Sequence, residues 1–204
     1  MTTTVGAASA DQDRKSPGRP RSARADEAII EATLDLLASG TPVEALSIEA
    51  VAARAGVGKA TIYRRWPNKE SLIVDAVASI KGEPPAILGE SVREDLLGLL
   101  RPMGQMRSNR FGRIMPCLLG ELKRNQQLAR SYSQMTEPRR ELLRQVIRRG
   151  IAEGSLRADL DVEVAVAMLV APLMVQGMLA WNPALENVDL PAQVVDTLLG
   201  SAAA

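Results

Sequence analysis

The short run Gly56-Val57-Gly58 constrains this 204-residue chain more than any other feature, because regular structure on either side of it has to stop there. Two glycines permit the backbone angles of a tight turn, and Val57 between them supplies an apolar plug. Upstream, Ser47 is a candidate cap for a helix in which Ile48, Val51, Ala52 and Ala55 recur at i, i+3, i+4 and i+7, so that one stripe faces a core. Downstream, a second short helix is expected from Lys59 to Trp66. Two short helices joined in this way describe a helix-turn-helix.

The second helix divides by face. Ile62 and Trp66 share one side, while Ala60, Thr61 and Arg64 point away from it, with Lys59 and Tyr63 on the flanks. The outward set suits a DNA groove. A small residue such as Ala60 permits close approach, Thr61 reaches a base edge or a phosphate, and Arg64 pairs bidentately with guanine or phosphate. Tyr63 offers a ring to a thymine methyl and a hydroxyl to a phosphate. Pro67 then blocks continuation, and Asn68 is placed to cap a further helix carrying Leu72, Ile73, Ala76, Val77 and Ile80. Lys69 falls in its first turn, where free N–H groups also favour an anion.

Helical corners with a glycine turn are common, so charge has to separate a DNA reader from ordinary helix packing. Between Arg54 and Lys69 the basic residues are Arg54, Lys59, Arg64, Arg65 and Lys69, with no Asp or Glu among them. A solvated helical face usually mixes signs. The string AGVGKATIYRRWPNKESL resembles the N-terminal signature of the TetR family of bacterial transcription regulators, and the resemblance covers about residues 25 to 80. It implies that Thr61, Tyr63 and Lys69 touch DNA, that Lys59, Ala60 and Arg64 face the groove, and that Ser47 meets a phosphate. Two positions depart from the pattern. Gly58 stands where Ser is usual, losing a side-chain cap, and Trp66 stands where Phe is usual, keeping the aromatic wedge with more bulk.

Net charge is only +1, but its placement is uneven. Arg14, Lys15, Arg19, Arg21 and Arg24 form a basic stretch without an acid, whereas charges beyond residue 82 cancel. Local fields steer binding to phosphate more than net charge does. With no histidine and one cysteine, Cys117, the chain has no internal disulfide and no Ser-His or Cys-His nucleophile pair. No metal or other cofactor is expected, and no catalytic constellation can be assigned. The N-terminus lacks a basic region followed by an apolar core, so no secretory signal is read and a cytoplasmic location is expected.

Three segments are expected. Residues 1–24 read as a flexible basic arm, in which Pro17-Gly18-Arg19-Pro20-Arg21 resembles the minor-groove element called an AT-hook; Arg19 and Arg21 are its candidate DNA contacts. The competing reading is a merely solvated tail. Residues 25–80 form a three-helix DNA-binding head, opened by a helix over about Ala25–Ala38 whose stripe is Ile29, Ile30, Thr33, Leu34, Leu36 and Leu37. Residues 81–204 form a larger helical bundle, giving an all-α fold. Its helices are placed near Ser91–Met106, Phe111–Arg124, Gln127–Met135, Arg139–Gly154, Val162–Trp181 and Pro191–Leu199.

The resemblance implies that this bundle binds a small-molecule effector and forms a homodimer. Val162 to Trp181 is apolar nearly all round after Glu163 and needs burial on more than one side. A membrane span is the rival reading, opposed by Pro172, Gln176 and the lack of flanking Lys or Arg. The family's intersubunit four-helix bundle makes Ala167, Val170, Met174, Met178, Val194, Val195, Leu198 and Leu199 the expected interface. For the pocket, Pro116 within Phe111–Cys117 is expected to distort its helix and leave space. Met103, Met106, Phe111, Met115, Cys117, Met168 and Met174 are the candidate lining, since Met repacks around varied apolar ligands, although ordinary core is the simpler role for each. Arg140, Arg144 and Arg148 at i, i+4 and i+8 form either an anion site or a solvated face, and Cys117 reads as structural rather than redox-active. With five aromatic residues a stacking cage for a flat cation is not expected, and an aliphatic or compact effector fits better.

The expected activity is therefore that of a repressor released from a palindromic operator by its effector. The alternatives are a nucleoid-type protein binding DNA without sequence preference, or a helical enzyme or interaction protein with a corner that only mimics a helix-turn-helix.

Overall fold

A computed structural model describes residues 19–202, with side chains placed from 23 to 200. The described residues form nine α-helices and one 3-10 turn, without strands. The head comprises α1 (Arg19–Ala38), α2 (Ile48–Ala55), α3 (Lys59–Tyr63) and α4 (Lys69–Lys81). The remainder comprises α5 (Val92–Gly104), α6 (Arg110–Arg124), α7 (Gln126–Ala152), α8 (Val162–Leu179), the 3-10 turn Pro183–Leu185 and α9 (Leu190–Ala202).

Helix α1 begins at Arg19 rather than near Ala25. Pro20 is tolerated there because first-turn N–H groups have no intrahelical partner, and the alanines that follow favour helix. Arg19 to Arg21 are thus helical rather than extended, which corrects the expected extent of the arm. Residues 1–18, with Pro17 and Gly18 of the minor-groove element, lie outside the described residues, as do the side chains of Arg19 and Arg21.

A second difference lies in α7, a single helix of 27 residues where the sequence suggests two. Pro138 has no N–H to donate to the Gln134 carbonyl four residues earlier, so one helical bond is missing inside α7. Neighbouring side chains serve the disturbed turn. Thr136 Oγ1 donates to the carbonyls of Tyr132 and Ser133, both at 3.1 Å, and Arg140 Nη2 donates to the Ser133 carbonyl at 2.7 Å. Gln134 itself faces solvent, where water can reach its carbonyl.

Two hydrophobic clusters hold the fold, and they do not divide at residue 81. The first joins the buried faces of α1 to α4 to Met106, Phe111, Ile114, Met115, Leu118 and Leu128. The second joins α5, the later part of α7, α8 and α9 around Leu96, Leu100, Ile147, Leu169 and Val195. Helix α6 is thereby built into the core of the head. Pro116 lies within α6 on its exposed side, and the helix runs on to Arg124. Packing around it is close: a Cβ on Gly112 would lie 1.8 Å from the Met106 carbonyl oxygen.

Asp95 secures the link between α4 and α5. It is buried, and its carboxylate accepts from the Leu88 and Gly89 N–H groups at 2.8 and 3.2 Å and from Arg149 of α7 at 2.7 Å. Burial opposes its ionisation, but the hydrogen bonds from Arg149 and the two amides prevail and hold its pKa below the ordinary aspartate value.

Candidate nucleic-acid interface

Helix α2 forms as its sequence pattern requires. Ser47 Oγ accepts from the Ala50 N–H at 3.1 Å, and Ile48, Val51 and Ala52 are buried. Gly56 ends the helix in the left-handed region (φ 66°, ψ 32°), its N–H turned back on the Ala52 and Ala53 carbonyls. Gly58 has an ordinary extended conformation (φ −76°), so only one glycine of the turn is needed for its backbone angles. It leaves α3 without a side-chain cap.

Helix α3 is shorter than expected, ending at Tyr63 with Arg64 as its C-cap. The face assignment nevertheless holds. Ile62 and Trp66 are buried, and Trp66 Nε1 donates to Asp75 of α4 at 2.8 Å. Lys59, Ala60 and Arg64 are exposed, Thr61 is part-buried, and Tyr63 is 52% exposed, leaving its ring and hydroxyl open to a groove. Ser47 uses its oxygen as the cap acceptor and keeps its hydroxyl proton for donation, as a phosphate contact requires.

Not every expected cation stands free. Lys59 Nζ lies 2.8 Å from Glu49 Oε1 of α2, an exposed pair that lowers the Glu49 pKa and raises that of Lys59 through the shared hydrogen bond. Arg65 turns toward α1 and pairs with Asp26, besides donating to the Thr61 carbonyl. Lys69 Nζ donates to the Val43 carbonyl at 2.8 Å and ties the α1–α2 loop to the start of α4. In this structure Arg65 and Lys69 are engaged within the head, Arg65 by Asp26 and Lys69 by the Val43 carbonyl. The acids that engage Lys59 and Arg65 lie on other helices, and the carbonyl that engages Lys69 lies in a loop, all beyond the reach of a local charge count.

Further polar links run from the head into the rest of the chain. Asp35 accepts from Arg54 of α2 at 2.9 Å, and Arg110 of α6 reaches both Asp35 and Glu31. The hydrogen bond from Arg54 is the main cause lowering the Asp35 pKa, with Arg110 adding to it. Arg124 pairs with Glu44, and Asn125 Nδ2 donates to Glu70 at 3.0 Å. Arg139 of α7 donates to the Lys81 and Gly82 carbonyls, both at 2.7 Å, capping the end of α4.

The helix-turn-helix and its supporting helices match the family model described as bacterial regulatory proteins, tetR family, over residues 29–76. The model described as Tetracyclin repressor-like, C-terminal domain, matches residues 89–198, more than half of the chain. The chain belongs to the TetR family. Among curated relatives, the HTH-type transcriptional regulator YdeS of Bacillus subtilis is 32% identical over 126 residues, covering 60% of this chain and 63% of YdeS. The HTH-type regulator Rv1556 of Mycobacterium tuberculosis is 35% identical over 126 residues, covering 59% of each chain. The matches therefore span about three-fifths of these relatives. Among solved structures, the TetR family regulator SCO0332 shares 29% identity with a TM-score of 0.62, covering 88% of this chain and 98% of that one. The fatty acid degradation regulator FadR of Bacillus halodurans, at 21% identity and TM-score 0.66 over 85% of this chain and 97% of its own, shares the fold.

The expected pocket residues of this TetR family member do not converge on one cavity. Met106, Phe111 and Met115 are buried in the first cluster with Met174 packed against it, and Met103 borders the second. Cys117 is part-buried with Sγ 3.9 Å from the Leu37 carbonyl, and Met168 is exposed. Pro116 lies on the exposed side of an α6 that continues through it to Arg124.

The expected interface set is also redistributed. Helix α8 is long and apolar enough to cross a membrane by length and composition, with a mean hydropathy of 1.9. Ala165, Val166, Leu169 and Leu173 pack inward, as do Val195 and Leu198 of α9. Val170 and Leu199 are only partly buried and pack against the same cluster, while Met178, like Met174, leans on the first. The outward stripe of α8 is instead Val164, Ala167, Met168, Ala171, Pro172, Val175 and Leu179. With Val194 and Thr197 of α9 and the 72% exposed Trp181, it borders an open apolar groove of about 790 Å³. Ala167 and Val194 of the expected set lie on this exposed side, and a helix apolar on every face carries no phase signal by which periodicity could separate the others.

Proposed function

We propose that this protein is a homodimeric transcriptional repressor that holds a palindromic operator through α3 of each subunit and releases it when a small-molecule effector binds the body. The observation that carries the DNA reading is α3 itself. Buried Ile62 and Trp66 fix the helix against the head while Ala60, Tyr63 and Arg64 stand exposed. One head reads a half-site, so a twofold pair is needed for a palindrome, with half-sites about 34–36 Å apart.

The outward stripe of α8 supports the dimer. Seven exposed apolar residues share a single face, and contiguous exposed apolar surface marks interaction sites. A second copy laying its α8 and α9 against the same surface covers it symmetrically and continues the second hydrophobic cluster across the axis. Tight packing of α6 against the head supports transmission of an effector signal to α3. A FadR from Bacillus subtilis, a structural neighbour at 18% identity and TM-score 0.63, has been solved in complex with stearoyl-CoA, and its fold is shared here. Effector binding to the body of this chain is proposed on that likeness.

Footprinting on the DNA flanking the protein's own gene tests the reading. A discrete protected palindrome, bound by a species of dimer mass, is the expected result. Uniform protection without sequence preference would identify a nucleoid-type binder and overturn it.

A further inference from the structure

Lys81, the last residue of α4, has an unusual environment. Its ammonium lies 4.7 Å from the centroid of the Phe111 ring and 5.8 Å from that of Tyr132. The rings stabilise a cation but offer no acceptor oxygen. Among the described residues no carboxylate lies within ion-pair distance of Lys81, and the charged groups facing it are Arg139 and Arg140 of α7, both positive. Burial, reinforced by these two arginines, pulls the Lys81 pKa down to about 8. Capping of α4 does not explain its placement, because Arg139 already occupies the Lys81 and Gly82 carbonyls.

Neighbouring groups lack strong acceptors as well. Burial pushes the Tyr132 pKa up to about 12, and among the described residues its hydroxyl meets only the Met115 sulfur, at 3.6 Å. Arg139 bonds to carbonyls, and among the described residues it has no carboxylate partner. Arg140 has Glu137, at 3.0 Å. Three cations and a phenol therefore gather at the junction of α4, α6 and α7 with no negative charge matched to Lys81. Lys81, Tyr132 and Arg140 each keep part of their surface exposed, so an anion reaches the ammonium from the solvent side, with the Phe111 ring on its inner side.

We propose that Lys81 anchors an anion site in the body and that the effector is an amphipathic organic acid, its carboxylate held by Lys81 in the field of Arg139 and its apolar part along the part-exposed ring of Tyr132. The inference rests on the effector reading above and deepens it. The site lies where α4 leaves the head, beside the carbonyls that Arg139 holds. A bound carboxylate competes for these cations and changes the hold of α7 on α4, so occupancy is coupled to the orientation of the head.

The test uses the full-length protein and a defined panel of hexanoate, octanoate, decanoate and phenylacetate, each beside its alcohol. Calorimetric titration and operator release are measured on wild type, Lys81→Met and Lys81→Arg. At least one acid is expected to bind about tenfold or more tightly than its alcohol, as a charge-assisted hydrogen bond requires. Lys81→Met should abolish that preference without altering alcohol binding, and Lys81→Arg should retain it, which separates loss of charge from loss of fold. Absence of binding by every acid, equal affinity for acid and alcohol, or an unchanged preference in Lys81→Met overturns the inference. Operator release by an alcohol but by none of the acids defeats the inference and leaves effector control standing. A Lys81-dependent acid preference without any change in operator affinity supports the site and defeats effector control.

Discussion

Arg110 opens α6 and donates through Nη2 to the Asp35 carboxylate of α1, whose other oxygen receives Arg54 of the helix-turn-helix. One acid therefore connects the helix before the recognition helix to the body. Its importance is positional rather than energetic, because Asp35 is nearly half exposed and pairs of this kind contribute little to stability.

Arg110→Ala is accordingly expected to cost about 1 kcal/mol or less in urea unfolding. It should nevertheless change operator affinity, since α2 and α1 lose their common tie to α6. Asp35 has a lowered pKa, so its contribution is present above the ordinary aspartate range and is lost as pH falls through the lowered value. Operator titrations of wild type and variant at low and high salt check this. Equal affinities under both conditions would remove the pair from any relay.

The Asp95–Arg149 pair should behave differently because Asp95 is buried. Asp95→Ala leaves the Leu88 and Gly89 amides and Arg149 without their acceptor, at a cost of about 3 kcal/mol or more. The depressed pKa of Asp95 means that its stabilisation is complete above the unfolded-state value of about 3.9 and disappears as pH drops below it. Wild type should lose stability steeply below about pH 4, and Asp95→Asn should show a shallower acid limb. Unfolding curves between pH 2 and 7, at fixed protein concentration, provide the measurement.

The turn between α2 and α3 yields two opposite predictions. Gly56 occupies the left-handed region, so Gly56→Ala should destabilise the head by about 1 kcal/mol. Gly58 has φ −76° and open space around a prospective Cβ, so Gly58→Ser adds a cap for α3 and should stabilise by a few tenths of a kcal/mol. Thermal unfolding of the two variants should move in opposite directions.

Much of this architecture is legible in the order of the amino acids. The 3.6-residue period places the buried faces of α2 and α4, because each helix has one apolar face and one polar face, and the caps at Ser47 and Asn68 are local signals. What the pattern does not carry is long-range. Arg65 and Lys69 read as DNA cations because Asp26 lies far away in sequence and the Val43 carbonyl carries no sequence mark. The helices expected at 127–135 and 139–154 join into one because the bonds of Thr136 and Arg140 exist only once α7 has formed. Lys81 gives no signal, since its rings come from α6 and α7.

Comparing Arg64 with Arg65 separates reading from bracing. Arg64 is exposed on the groove side, so Arg64→Ala should weaken specific operator binding by about 1–3 kcal/mol while leaving stability unchanged. Tyr63→Ala should act in the same way. Arg65→Ala removes the tie to Asp26 and should lower the melting temperature as well as operator affinity. Melting and anisotropy measured on the same preparations decide this; a stability loss in Arg64→Ala equal to that in Arg65→Ala would contradict the assignment of faces.

The stripe on α8 supports a last prediction, in which the two sides of one helix respond differently. Met168 is 50% exposed and borders the open groove, whereas Leu169 beside it is fully buried in the second cluster. Met168→Glu brings a charge and its symmetry mate into the proposed dimer contact, at the cost of desolvation and mutual repulsion. It should yield a folded, helical monomer with weak operator binding, because a single head covers only a half-site. Leu169→Ala should instead lower stability by about 2–5 kcal/mol through the cavity it leaves. Sedimentation velocity with circular dichroism distinguishes these outcomes. A Met168→Glu protein that remains dimeric would place the subunit contact on another face, and with it the spacing of the two recognition helices.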